Sequence, residues 1–134
     1  MMDNKLSFHH VGVACHDIEL TKPFYLALGY EATETVIDPI QNVKICFLNK
    51  SCMPQIELLA PVDESSPIHR TLEVSGVTPY HFCYEVDDIA STIEELREQH
   101  FMALSKPQPA CAIGSRLVCF LFKKEVGLIE LVEK

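Results

Sequence analysis

The sequence predicts an α+β fold built from two tandem β-α-β-β-β modules, and three observations carry that prediction. The two halves repeat the same order of strand-like and helix-like runs, and the tails Ile56-Glu57-Leu58 and Ile129-Glu130-Leu131 match letter for letter. Each half holds one amphipathic helical stripe among several short runs rich in β-branched and aromatic residues. The 134 residues are 48% apolar and 22% charged, which fits one domain with a core of its own. Residues 1–134 are thus read as a single domain, with module one at 6–61, a linker at 62–77 and module two at 78–134.

Module one opens with a strand at Phe8-His9-His10-Val11-Gly12-Val13-Ala14. Leu20, Phe24, Ala27 and Leu28 then make a helical stripe that Gly29 stops, and Pro23 sets a start no earlier than its own turn. Three strand-like runs follow. They include Val43 to Leu48, bounded by Asn42 and the Asn49-Lys50-Ser51 turn, and they end at Gln55-Ile56-Glu57-Leu58-Leu59. Pro61, Pro67, Gly76 and the polar residues among them mark the linker. Module two echoes the first. A strand at Tyr80 to Val86 precedes a helix from Ile89 to Gln99, where Ile89, Ile93 and Leu96 share one face, Glu94, Glu95 and Glu98 take the other, and Asp87 or Asp88 caps the start. Runs near Phe101 to Leu104, Arg116 to Phe122 and Leu128 to Val132 complete it.

Eleven Lys and Arg against nineteen Asp and Glu give a net charge of −8, an acidic surface that repels nucleic acid and anionic lipid headgroups. The longest apolar stretches, such as Leu117 to Phe122, fall far short of the ~20 residues that cross a bilayer. The N-terminal residues run into the first strand with no apolar secretory core, so a cytoplasmic location is expected. Cys15, Cys46, Cys52, Cys83, Cys111 and Cys119 form no C-x-x-C pair and sit mostly among apolar neighbours. They read as small buried hydrophobes.

The chemistry is expected from four residues at repeat-equivalent places: His10 and His81 on the opening strands, Glu57 and Glu130 on the closing ones. The histidines are 71 residues apart and the glutamates 73. Duplication sets equivalent side chains about a pseudo-twofold axis, so all four can converge on one point. Alternation puts His10 on a face with Phe8 and Gly12, and turns Glu57 away from its apolar neighbours Ile56 and Leu58. Any one of them alone reads as a hydrogen-bonded structural histidine or a solvated glutamate. Together they make a mixed nitrogen and oxygen set suited to a divalent Zn, Ni, Co, Mn or Fe ion, whose charge offsets the cost of burying two carboxylates. Two positions of an octahedral ion stay open for substrate oxygens. His9 lies on the opposite strand face, and His16, His69 and His100 fall in turns or at a helix end, where exposure is the default.

These residues resemble the vicinal oxygen chelate superfamily, which includes glyoxalase I, methylmalonyl-CoA epimerase, extradiol dioxygenases, fosfomycin-resistance enzymes and the metal-free bleomycin-resistance proteins. The resemblance spans nearly the whole chain. It is carried by His10-Val11-Gly12-Val13, Asp17-Ile18-Glu19 with Phe24-Tyr25 and Leu28-Gly29, Ile56-Glu57-Leu58-Leu59, His81 with Glu85-Val86-Asp87-Asp88, and Ile129-Glu130-Leu131. It implies a cup-shaped sheet, and ligands at His10, Glu57, His81 and Glu130. Within the superfamily the chain is most similar to methylmalonyl-CoA epimerase, through Val43 to Leu48, Glu57-Leu58-Leu59-Ala60-Pro61 and Ser66-Pro67-Ile68.

That resemblance implies a metal-dependent lyase or isomerase that removes a proton α to the carbonyl of a small thioester or hemithioacetal, with Glu130 as both ligand and general base. One departure stands out. The epimerases place a catalytic Glu in the loop that aligns with Pro39-Ile40-Gln41-Asn42, and here Ile40 stands there, leaving Asp38 or Glu34 as the nearest replacements. Inversion at carbon asks for an acid on the face opposite the base. Arg116 and Gln41 are the expected substrate-binding residues; Lys44, Arg70, Lys123 and Lys124 are further cations for an anionic substrate such as an acyl-CoA or thiol adduct. Exposed sheet edges favour a homodimer. Two other readings use the same cup: a non-catalytic small-molecule binding or resistance protein, and a thiol transferase or dioxygenase.

Overall fold

The computed structural model describes residues 6–134; Met1–Lys5, on which the expectation of no leader rests, lie outside the described residues. The chain folds as α+β in two compact units, one of residues 10–80 and the other of residues 81–134 with the first strand up to His9.

The first unit holds β1 (Ser7–Ala14) from His10 onward, α1 (Ile18–Ala27), β2 (Glu31–Ala32), β3 (Val36–Asp38), β4 (Val43–Asn49), β5 (Ile56–Pro61) and α2 (Ile68–Ser75). Its strands run in the order β2-β4-β5-β1, with β3 also on β4. β1 and β5 are parallel, with Val11 opposite Ile56, while β4 crosses β5 antiparallel, with Phe47 opposite Glu57. Val13, Cys15, Ile18, Tyr30, Cys46, Leu48, Leu58 and Ala60 form the core on the helix face of this sheet.

Helix α1 differs from the sequence expectation in both start and orientation. The Asp17 carboxylate accepts the backbone N–H of Glu19 at 2.9 Å and starts the helix before Pro23, which sits inside it on the exposed side. Ile18 and Tyr25 dock on the core, and the stripe of Leu20, Phe24 and Leu28 faces solvent. Ile18 and Tyr25 stand at i and i+7, so the two faces have comparable periodicity; the partner sheet decides between them. The segment expected as linker carries α2, which buries Ile68 and Leu72 at i and i+4.

The second unit holds most of β6 (Thr78–Val86), then α3 (Ile89–Glu98), β7 (Met102–Ala103), β8 (Gln108–Ala110), a 3₁₀ turn at Cys111–Ile113, β9 (Arg116–Lys123) and β10 (Gly127–Glu133). The order is β6-β10-β9-β7, with β8 also on β9. α3 begins at its Asp88 cap, which accepts the Ser91 N–H at 3.1 Å, and packs Ile89, Ile93 and Leu96 against Cys119, Leu121, Ile129 and Leu131. The helix expected from Ile89 to Gln99 stands with its predicted buried face. β1 corresponds to β6, α1 to α3, and β2–β5 to β7–β10, so each half carries four strands after its helix instead of three. The additional pair, β3 and β8, is only three residues long, too short to leave a periodic signal.

Cys15, Cys46, Cys83 and Cys119 are buried as expected, whereas Cys52 and Cys111 are exposed. Burial pushes the Cys15, Cys46 and Cys119 thiols up from their ordinary pKa. Among the described residues no helix is long and apolar enough to cross a membrane.

Candidate active site

Strand register explains why a histidine and a glutamate meet in each unit. On the parallel pair β1 and β5, the residue after His10 lies opposite the residue before Glu57, so both side chains point to one face of the sheet. His10 Nε2 stands 3.1 Å from Glu57 Oε1, both buried. The second unit repeats this arrangement. On β6 and β10, Phe82 lies opposite Ile129, and His81 Nε2 stands 3.2 Å from Glu130 Oε1, again buried.

A third member belongs to each pair, and the sequence expectation missed it. On the strand beyond each glutamate, Phe47 lies opposite Glu57 and Phe120 opposite Glu130. Phe47 meets the His10 ring edge-on, with centroids 5.4 Å apart, and Phe120 meets the His81 ring at 5.0 Å. Each phenylalanine thus restricts the rotation of its imidazole and keeps one side of it dry. The signal was present: Cys46-Phe47-Leu48 repeats as Cys119-Phe120-Leu121, at the same 73-residue step as the glutamates.

The donor set fits a divalent cation. Two donors 3.1–3.2 Å apart subtend about 90° at an ion ~2.1–2.2 Å from each, the separation of adjacent ligands in a six-coordinate site. Imidazole nitrogen with carboxylate oxygen suits Zn, Ni, Co, Mn or Fe. His10, Glu57, His81 and Glu130 are the candidate ligands.

The remaining expected residues are engaged elsewhere. The Arg116 guanidinium pairs with Glu85, and its Nε donates to the Glu133 carbonyl at 2.6 Å, so much of its charge is already spent within its own unit. Gln41 is held by Asp38: its backbone N–H donates to Oδ1 at 3.0 Å and its Nε2 to Oδ2 at 3.2 Å. Asp38 is buried and also accepts the Ile40 N–H at 2.9 Å, which makes it the anchor of that loop. Ile40 and Glu34 are exposed. Hydrogen bonds from Ser65 and Asn42 hold the Asp63 carboxyl below the usual aspartate range, and the Asn42 contact ties the same loop to the segment before α2. Lys44, Arg70 and Lys124 are exposed, and Lys123 lies over the Phe101 ring at 5.8 Å. His9 is half-buried, and His69 Nε2 contacts the Asp63 carbonyl at 2.9 Å. His16 and His100 are exposed.

Comparison with known proteins finds relatives of this sequence and this fold. The ethylmalonyl-CoA/methylmalonyl-CoA epimerase of Cereibacter sphaeroides is 33% identical over 131 residues, covering 92% of this chain and 94% of that protein. The mitochondrial methylmalonyl-CoA epimerase of Bos taurus is 34% identical over 127 residues, 92% of this chain and 71% of that one. The crystal structure of methylmalonyl-CoA epimerase from Mycobacterium tuberculosis superposes with a TM-score of 0.87 at 27% identity, covering 99% of this chain and 91% of that one. The family model spans residues 9–120, and with the duplicated units and their paired histidines and glutamates it shows that the chain belongs to the Glyoxalase/Bleomycin resistance protein/Dioxygenase superfamily.

Proposed function

We propose that this chain is a divalent-metal-dependent isomerase of the epimerase type, removing a proton α to the carbonyl of a small acyl-CoA thioester. The observation that carries the reading is the buried His–Glu contact made twice at register-equivalent positions, 3.1 Å in one unit and 3.2 Å in the other. The epimerase relatives support the choice of reaction and substrate class. In the proposal one ion takes all four side chains.

A cation held by His10, Glu57, His81 and Glu130 supplies positive charge where the carbonyl oxygen becomes anionic as the α-proton leaves. The chain supplies the rest. Glu130 accepts the proton from the α-carbon, its carboxylate being kept from bulk water at 2% exposure; a proton delivered to the opposite face of the planar enolate inverts the centre, and one returned by Glu130 to the same face gives exchange alone. Phe47 and Phe120 hold the two imidazoles in place and exclude water beside them. Arg116, bound to Glu85, orders the far end of the β6–β10–β9 face, and within the proposal it is one contact for the polar part of the substrate; Gln41, held by Asp38 in the other unit, is the second. A homodimer belongs to the same proposal and is supported by the exposed Leu20, Phe24 and Leu28 on α1; sedimentation measures it.

The test loads the metal-free protein with cobalt, nickel, manganese or zinc and follows the α-proton of methylmalonyl-CoA in deuterium oxide by NMR. Metal-dependent loss of that signal is expected. Stoichiometric metal binding with no exchange on any thioester or hemithioacetal would make the chain a binding protein and end the reading.

A further inference from the structure

The two units agree in their His, Glu and Phe and then diverge in the side chains beside them. In the second unit Leu128 lies opposite Phe122, and Phe122 opposite Met102. Leu104 N–H donates to the Phe120 carbonyl at 2.9 Å, which places Leu104 next to Phe120. Alternation puts Leu128, Phe122, Met102 and Leu104 on the sheet face that carries His81 and Glu130. This strip is apolar yet open: Phe122 is 41% exposed, Met102 61% and Leu104 54%.

The first unit is the internal control. Its equivalent positions are Gln55, Asn49, Glu31 and Thr33: Glu31 lies opposite Asn49, and Thr33 N–H donates to the Phe47 carbonyl at 2.9 Å. Every apolar member of one strip has a polar counterpart in the other. At Gln55, Asn49 and Glu31 the same backbone pattern accepts polar side chains on this face, while the Thr33 hydroxyl accepts the Phe47 N–H at 2.9 Å; at those first three positions neither the fold nor the core dictates hydrocarbon. Large apolar side chains open to solvent in a contiguous row mark a binding surface. Leu128 directly precedes the Ile129-Glu130 step, so the row starts beside the proposed base.

We propose that Leu128, Phe122, Met102 and Leu104 form an acyl-binding strip, which selects thioesters whose acyl part carries a hydrocarbon arm longer than a methyl group. The proposal rests on the α-proton reading for its substrate class and adds the side of the site on which the arm lies. A bound alkyl arm gains apolar contact on this strip, and a polar arm does not.

The test measures binding of unreactive S-alkyl-CoA thioethers, from ethyl to hexyl, to the metal-loaded protein by calorimetry. A methylene fully removed from water is worth about a fourfold change in affinity, so Kd should fall roughly two- to fourfold per added carbon along this partly open strip. Phe122→Asn and Met102→Gln, which import the polarity of the sister strip at exposed positions, should flatten that series while leaving the metal Kd unchanged. Val74→Gln, on the exposed side of α2, should change neither. A flat series in the wild type overturns the proposal, as does an unaltered series in both variants. If Phe122→Asn breaks a dimer in sedimentation and leaves the series intact, the strip is an interface between copies and the proposal fails. Failure of the α-proton reading is separate: it shows as absent exchange, whatever the chain-length series does.

Discussion

Glu130→Gln and Glu57→Gln remove the same carboxylate charge from equivalent places, and comparing them separates binding metal from moving a proton. Each substitution keeps side-chain volume and one oxygen facing a histidine, at contacts of 3.1 and 3.2 Å in the parent. Losing an outer-shell partner of a metal site already costs ~10–100-fold in affinity. Losing a charged ligand should cost at least that, and by near-equal amounts for the two variants. Their rates should then part. A general base contributes about 10²–10⁴-fold, or about 2.7–5.4 kcal/mol of barrier, and at 2% exposure no solvent base replaces Glu130, which favours the upper half. Calorimetry with Co²⁺ sets the metal concentration that saturates each variant. NMR of α-proton loss in deuterium oxide is then read at saturation. Glu130→Gln should exchange at least a thousandfold more slowly than the parent and Glu57→Gln much less so. Equal rates for the two variants at saturating metal would refute the assignment of Glu130 as base.

Other substitutions probe the framework. Phe47→Ala, at a site 7% exposed, should lower unfolding free energy by about 3–5 kcal/mol in urea titration and weaken metal binding, since the His10 ring loses the wall that fixes it. A thiol reagent at neutral pH should label Cys52 and Cys111 quickly and the four buried cysteines only as the protein opens. Burial raises the pKa of Cys15, Cys46 and Cys119 in the folded state, so the native protein retains thiol protons that the unfolded chain has lost. Stability should therefore decline as pH rises past the unfolded thiol value of ~8.5. A melting temperature that holds or rises from pH 8 to 10 in the wild type would contradict this, and so would a fall of the same size in Cys46→Ala.

The four candidate ligands were legible because strand register is strict. A pairing slip of one residue would send His10 and Glu57 to opposite faces, so a repeat that keeps both must keep their spacing, and 71 and 73 residues of separation reveal it. The face of α1 was not legible, since Ile18 with Tyr25 and Leu20 with Phe24 and Leu28 are both acceptable helical stripes. Only the sheet beneath tells them apart. α2 escaped because Pro67 and Gly76 carry the composition of a linker while bracketing a helix of eight residues, whose signal is a single buried pair. Phe47 and Phe120 are hidden in the sequence for another reason: an apolar residue in a strand reads as core, which Phe47 also is. Duplication distinguishes what the site requires from what it permits. The His, Glu and Phe triplet stands in both halves, whereas the residues alongside it have become polar in one and apolar in the other.

By the epimerase resemblance, the loop after β3 is the place to ask whether the proposed reaction inverts configuration or merely exchanges a proton. Inversion asks for an acid opposite Glu130, and the position where the epimerase resemblance expects one holds the exposed Ile40. Displacing the loop to bring Asp38 forward would break the two backbone N–H bonds and the Gln41 side-chain bond that its carboxylate accepts, and would strain the Asn42 tie to Asp63 and Ser65, each 3.0 Å. Hydrogen bonds to a charged group are worth about 1.5–3 kcal/mol each, so three of them outweigh the gain from one catalytic proton donor of average strength. Deuterium should therefore enter the α-position at least tenfold faster than configuration inverts, read by NMR and by chiral analysis of the same samples. Asp38→Asn should lower stability by about 2 kcal/mol or more and leave the ratio of exchange to inversion unchanged. Equal rates of exchange and inversion in the wild type, with inversion alone lost in Asp38→Asn, would show that the buried aspartate is the second acid and that its hydrogen bonds yield during turnover.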